Sequence, residues 1–258
     1  MFEPERPLHA RLPAGAWLPL ALAAAWLALV DSGWFTHPLL VPLHQVLSAP
    51  FTDEQGRQLW GALGASLLRV ALGFALGASL GVLLGVAIGL SRPAQRAVAP
   101  TLNGLRQVAL FAWIPLLTAW FGNGELVKTV FIAVSSFFPV FLNTEQGVRG
   151  IPPAQREVAA ALRLRPWQRL RRLVLPASLP AMLTGVELAL ITAWIGTVGA
   201  EYAIGTGRGI GAYLATARDV FRMDLVLVGV LALAGVGAAF ARLAQALFHH
   251  LIFWRPRP

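Results

Sequence analysis

The chain has 258 residues, of which 57% are hydrophobic and 13% charged, with a mean hydropathy of +0.65. This apolar share excludes an ordinary water-soluble domain and points to lipid as the solvent. The formal charge of +9 raises nucleic acid as a partner, but the placement of the basic residues argues against it, and the absence of cysteine excludes disulfides and thiolate metal sites.

Six apolar runs approach the roughly 20 residues that a membrane-spanning helix needs. They are Ala14 to Val30, Leu67 to Leu90, Leu105 to Phe121, Leu126 to Thr144, Met182 to Ala200 and Leu225 to Leu247. They predict an all-α polytopic membrane protein with six transmembrane helices in a single domain. The first run follows a mixed-sign segment containing Glu3, Glu5, Arg6 and Arg11 and leads into Asp31-Ser32-Gly33 without a small-residue cleavage site, so it reads as a retained span. Pro38, Pro42 and Pro50 in the connection from Asp31 to about Trp60 predict no regular element there.

The second run carries Gly73, Gly77, Gly81, Gly85 and Gly89, a four-residue period that puts small residues along one helix side for close packing. Gly77 to Gly81 also fits a Gly-x-Ser-x-Gly nucleophile elbow. Ser79 is mid-helix, however, and the histidines His9, His37, His44, His249 and His250 lie outside the spans or at the end of the last, so no triad can form. Gly122 to Thr129 ends in Lys-Thr like a phosphate loop, but Val127 stands where glycine is needed, so the chain holds no nucleotide itself. Gly205, Gly207, Gly209 and Gly211 predict a mobile or tightly turned loop between the fifth and sixth runs.

With a cytoplasmic start, Arg6, Arg11, Arg92, Arg96, Arg149, Arg156, Arg163, Arg165, Arg169, Arg171, Arg172, Arg255 and Arg257 fall inside. Arg57, Lys128, Arg208, Arg218 and Arg222 fall outside. This asymmetry follows the positive-inside rule and predicts that both termini are cytoplasmic. Arg69, Arg106 and Glu187 lie within runs and are candidates for a path or gate, whereas Arg242 can snorkel to the inner face. A pair with Arg106 or Arg149 is the alternative for Glu187. Phe111, Trp113, Trp120 and Trp194 are candidate path linings or packing anchors.

The inner connection from Val148 to Pro180 is too patterned for a tether. Pro152 and Pro153 can start a helix whose Ala154, Val158, Ala161 and Leu162 form a shallow apolar face suited to a groove. Pro166 breaks it. Trp167, Leu170, Leu173 and Val174 then form a second stripe opposite Arg169, Arg171 and Arg172, as in an interfacial helix, and Pro176 and Pro180 punctuate the start of the fifth run.

Glu157-Val158-Ala159-Ala160, with the Leu-Pro-x-x-Leu-Pro ending at Leu175 to Pro180, resembles the EAA loop of ABC importer permeases. Leu105-Arg106, Ile114-Pro115-Leu116, Trp120-Phe121-Gly122, Phe138-Pro139, Asn143, Gly147-Val148-Arg149 and Glu201 extend the resemblance to the branch that imports aliphatic sulfonates, taurine and nitrate. It implies a type I importer permease fold in the bacterial inner membrane. The implied partners are a second permease copy or a paired permease, two ATP-binding subunits that hold the ATP and Mg, and a periplasmic or extracellular binding protein. This chain itself would hold no cofactor and catalyse no reaction. ATPase contact is carried over to Arg156, Glu157, Val158, Ala159, Ala160, Leu162 and Arg163. Arg163 stands where the family usually has glycine, and Glu187 where it often has arginine, which bear on the loop's turn and on the cargo. Another small solute, such as a heterocyclic vitamin precursor, carried by the same mechanism is the alternative to an anion, and a self-contained secondary transporter is the alternative to the whole assignment.

Overall fold

The computed structural model describes residues 17–31, 41–205 and 207–251. These form α1 (Trp17–Asp31), α2 (Leu43–Thr52), α3 (Glu54–Leu90), α4 (Arg92–Gln107), a 3₁₀ turn (Leu110–Ala112), α5 (Trp113–Phe121) and α6 (Glu125–Arg149). After them come α7 (Pro153–Ala161), α8 (Pro166–Arg169), a π-helical turn (Leu170–Val174), α9 (Leu175–Ile204), α10 (Ile210–Asp219) and α11 (Met223–Leu251). Among the described residues, α3, α6, the continuous run Pro166–Ile204 and α11 are each long and apolar enough to cross a membrane. A fifth crossing is available if α4 and Leu110–Phe121, which meet at 90°, are taken together. The described part of the first run is α1, whose 15 residues reach about 22 Å, short of the roughly 30 Å hydrocarbon layer.

The bundle is built on α6, which lies between α3 and α9. The glycine period of α3 faces α6 along its whole length. A Cβ at Gly81 would come within 2.9 Å of Val140 Cβ, at Gly85 within 2.7 Å of Thr144 Cβ, and at Gly89 within 2.8 Å of Val148 Cβ, while one at Gly77 would run into the Ala133 carbonyl. Gly147 and Gly185 make the matching approach of α6 and α9, against Ala181 and Asn143. Without side chains between them, the backbones reach van der Waals contact, the source of association where lipid removes the hydrophobic drive.

At the outer end of this seam a charged cluster is buried. Glu201 on α9 is fully buried and accepts hydrogen bonds from Ser66 Oγ at 2.8 Å, from Arg69, and from the Gly211 N–H at 3.0 Å. Ser66 Oγ in turn accepts from the Ile210 N–H at 2.9 Å. Arg69 also pairs with Glu125, Nη2 donating to Oε1 at 2.9 Å, and the buried Lys128 lies 3.4 Å from the same oxygen. Arg69 and Lys128 are buried against two carboxylates, Glu201 fully buried and Glu125 open to solvent, so α3, α6, α9 and the start of α10 are tied together with each buried cation facing an acid. The alternating glycines make this possible as a tight turn: Gly205, at φ +68°, closes α9, and Gly209 and Gly211 leave room for the Glu201 carboxylate and the α9 backbone.

The seam also sets depth. From Gly89 at the inner end to Arg69 is about 30 Å of helix, the thickness of the hydrocarbon layer. The remainder of α3, from Glu54 to Leu68, extends past Arg69 and begins with the polar Gln55, Arg57 and Gln58. There, in contrast to the element-free connection predicted from the prolines, α2 forms. Pro42 only precedes it, and Pro50 sits in its last turns, where one lost backbone bond is tolerated. Arg222 bridges Asp224 at 2.6 Å and Asp53, the N-cap of α3, at 2.5 Å. The hydrogen bond from Arg222 and that from the Gly56 N–H hold the Asp53 carboxyl below its ordinary range. Behind this clamp, burial pushes the Tyr213 hydroxyl up to about 12.

The third run is where the structure departs furthest from hydropathy. Leu105 to Phe121 is not one helix: it breaks at Val108 and Ala109, and Leu110–Phe121 turns by 90° from α4, with Phe111 over Gly199 and 5.8 Å from the Phe131 ring. Taken as one bent crossing, the pair begins with α4, which starts just after Ser91 and whose 16 residues reach about 24 Å. Pro176 and Pro180 do not interrupt the fifth span either. Leu175 N–H donates to Leu170 O, five residues back, so the π-turn has already shifted the ladder where Pro176 begins α9.

Two measurements test this frame. Gly77→Leu forces α3 off α6 and lowers the stability of the detergent-purified chain by about 1–3 kcal/mol in denaturant titration, whereas Gly64→Ala, which meets nothing within 4 Å, is neutral or stabilising. Glu201→Gln leaves Arg69 undercompensated and costs about 3 kcal/mol, while the Arg69→Met/Glu201→Met pair, which keeps Glu125 with Lys128, recovers much of the loss.

Candidate functional site

Where α6 ends, the loop expected to be cytoplasmic opens with the short helix α7. Pro153 starts it, its fixed φ suiting the first turn, and it ends at Ala161. Its side chains divide into two sets. Glu157 is exposed and unpaired among the described residues, and Val158 and Leu162, one turn apart, are 59% and 67% exposed. Ala154, Ala160 and Ala161 complete this outward face. A carboxylate set among small and apolar side chains, open to water, is chemically a docking surface.

The other set turns back to its own chain. Ala159 is buried, and Arg156 is half-buried with Nη2 donating to Val148 O at 3.2 Å and Arg149 O at 2.9 Å. Both were expected at an ATPase contact. Helical periodicity separates them from Glu157 and Val158: Arg156 instead satisfies the last carbonyls of α6, and Ala159 lets α7 approach the π-turn. Within the second stripe, Leu170, Leu173 and Val174 pack with Val86, Val148 and Ile151, leaving Trp167 exposed beside Arg169, Arg171 and Arg172. Only Trp167 and the arginines therefore remain for an interfacial role.

Arg163 takes φ +50°, the left-handed conformation that glycine adopts freely. Its N–H donates to Ala160 O at 2.9 Å and that of Leu164 to Ala159 O at 3.2 Å, which is the Schellman closure of a helix C-terminus. The turn is thus retained with arginine in the glycine position, at a backbone cost of about 1–2 kcal/mol.

The path candidates separate as clearly. Arg69 is consumed by the outer cluster. Trp194 is buried, donates to Leu233 O at 3.2 Å and stacks edge-on with Phe240, and Trp113 packs beside Leu117, Val127, Phe131 and Ala200, so both are packing anchors. Glu187 is half-buried on α9, and the expected intrachain pair is not formed: Arg149 pairs with Glu145 at 3.1 Å, and Arg106 is exposed on α4 without a partner among the described residues. No residue of α4 is buried. Among the described residues there is no cluster able to hold a metal ion.

Comparison with known proteins places this architecture. The chain is 36% identical over 242 residues to an aliphatic sulfonates transport permease, SsuC, of Bacillus subtilis, covering 93% of this chain and 87% of the relative. It is 30% identical to the taurine transport permease TauC of Escherichia coli, over 96% and 95% of the two chains, and 31% identical to the bicarbonate transport permease CmpB of Synechococcus elongatus, over 75% and 69%. In fold it is similar to an inward-facing MetNI methionine ABC transporter, with a TM-score of 0.67 over 78% of this chain and 99% of that one at 19% identity, and to a bacterial alginate importer at 0.62. Residues 77–252 match the family of binding-protein-dependent transport system inner membrane components, and the chain belongs to that family of ABC transporter permeases.

Proposed function

We propose that the chain is one of two permease subunits forming a single path for a small anion, with an ATPase beneath each subunit and a binding protein delivering cargo from outside. Six spans and cytoplasmic termini complete this reading, supported by the distribution of the basic residues. The observation that carries it is the α7 face: Glu157, Val158 and Leu162 are unpartnered on the inner surface of a family whose members work with a separate ATPase. The relatives named for sulfonates, taurine and bicarbonate support an organic or inorganic anion as cargo.

Force applied to α7 has a route into the membrane. Arg156 ties α7 to the end of α6, α6 is held against α3 by the glycine seam, and the outer cluster ties both to α9. Closure of the ATPases on ATP binding draws the two α7 helices together and rotates each bundle as a body, opening the path outward. Hydrolysis returns it inward.

Glu157→Lys abolishes ATP-driven uptake by the reconstituted complex while membrane insertion and the thermal stability of the permease stay unchanged. Wild-type uptake refutes the docking role. Arg163→Gly keeps the turn, relieves the left-handed arginine and raises stability by about 1 kcal/mol in denaturant titration.

A further inference from the structure

α4 and Leu110–Phe121 together are long and apolar enough for one crossing bent by 90°, yet none of the residues of α4 is buried, and it carries three arginines and no acid. Arg92, Arg96, Ala99, Asn103 and Arg106 recur at steps of four and three, so they share one face; Ala94, Val98, Leu102 and Leu105 share the opposite one. Arg106 stands about 21 Å along the helix from its start and Arg96 about 6 Å, so both fall within a crossing that begins with α4. Neither has a partner among the described residues, and the nearby intrachain acids are spent: Glu145 on Arg149, Glu125 and Glu201 on Arg69. Guanidinium groups at this depth do not face acyl chains. The break at Val108 and Ala109 and the 90° bend after α4 belong to the same logic, since irregular backbone at membrane depth is found where it lines a cavity or is buried in protein.

We propose that the Arg96–Asn103–Arg106 face of α4 lines the water-filled path and receives the oxyanion group of the cargo, with the Val98–Leu105 face turned away from water. Arg92 at the inner mouth and Arg106 near the outer end would bracket a ladder of cationic and amide donors suited to carboxylates and sulfonates. The site differs from the outer cluster, whose buried cations each face an acid. It deepens the anion reading of the cargo and rests on that reading for the ligand's charge.

The chain has no cysteine, so single-cysteine variants need no background removal. Ala99→Cys, Asn103→Cys, Val98→Cys and Leu105→Cys are assembled with the ATPase in proteoliposomes. Each is treated with membrane-impermeant thiosulfonates carrying either a sulfonate or a trimethylammonium group, and labelling is read from the mass of this chain. Ala99 and Asn103 variants react and Val98 and Leu105 variants do not. Relative to a free thiol, the sulfonate reagent is favoured about tenfold, and the preference collapses with Arg96→Gln/Arg106→Gln. Methanesulfonate slows the reaction. Silence at Ala99 and Asn103, which would mean the face is sealed against protein such as a second copy's Glu187, overturns the proposal, as does labelling of Val98 and Leu105 instead or faster reaction of the cationic reagent. If the expected pattern holds but uptake assays reject anions, the cargo reading fails and the α4 face stands as the path lining. If anions are taken up while the pattern is absent, the α4 assignment alone fails.

Discussion

The close contact between α3 and α6 determines most of what surrounds it. Because five glycines on α3 leave no side chain to separate the backbones, the two helices meet over about 24 Å with their register set by Ile132, Ser136, Val140, Thr144 and Val148 fitting above them. That register brings Arg69 level with Glu125 and Glu201, and so makes the outer cluster possible. It equally sets where α3 ends, at Leu90, and hence where α4 starts its return. A one-turn slip would bury Arg69 against apolar neighbours with no acid in reach, so packing and electrostatics select the same alignment.

The outer cluster and the inner loop are two ends of one rigid body. At the inner end Arg156 spends its guanidinium on carbonyls that α6 cannot satisfy, converting a helix terminus into an attachment point for α7. At the outer end Glu201 collects a hydroxyl, a guanidinium and a backbone N–H, which keeps the α9–α10 turn pressed to the bundle. Under the proposed coupling, these ties would carry motion started at α7 along the bundle.

Much of this was legible in the sequence, and what was missed lay beyond local spacing. The glycine period, the loop with Glu157, and five of the six apolar runs correspond to regular elements of the structure because each depends on local spacing. The bend inside the third run was not visible because hydropathy averages over a window and gives no sign of the break at Val108 and Ala109. A polar period at Arg92, Arg96, Asn103 and Arg106 was present in the sequence but was divided between an inner connection and the start of the third run, where Arg106 alone was singled out as a path candidate. The outer cluster was hidden for a different reason: Ser66, Arg69, Glu125 and Glu201 come from three separate helices, and no local pattern announces a tertiary ion pair. Arg156 and Ala159 were read with Glu157 because a motif is a string, whereas a helix of 3.6 residues per turn sends neighbours to opposite sides.

These features divide the chain into a packed part and an unsatisfied part. The α3, α6 and α9 core is sealed by backbone contact and an ionic cluster, and it asks for no partner. Charges without an intrachain partner among the described residues include Glu157 on α7, Glu187 on α9 and the arginines of α4. A bilayer cannot satisfy the last two, so their environment must be supplied by water, cargo or a second subunit. α4 has no buried residue and packs only lightly on α3, so under the proposed coupling a rotation of the rigid body would shift its arginine face relative to whatever it meets across the path.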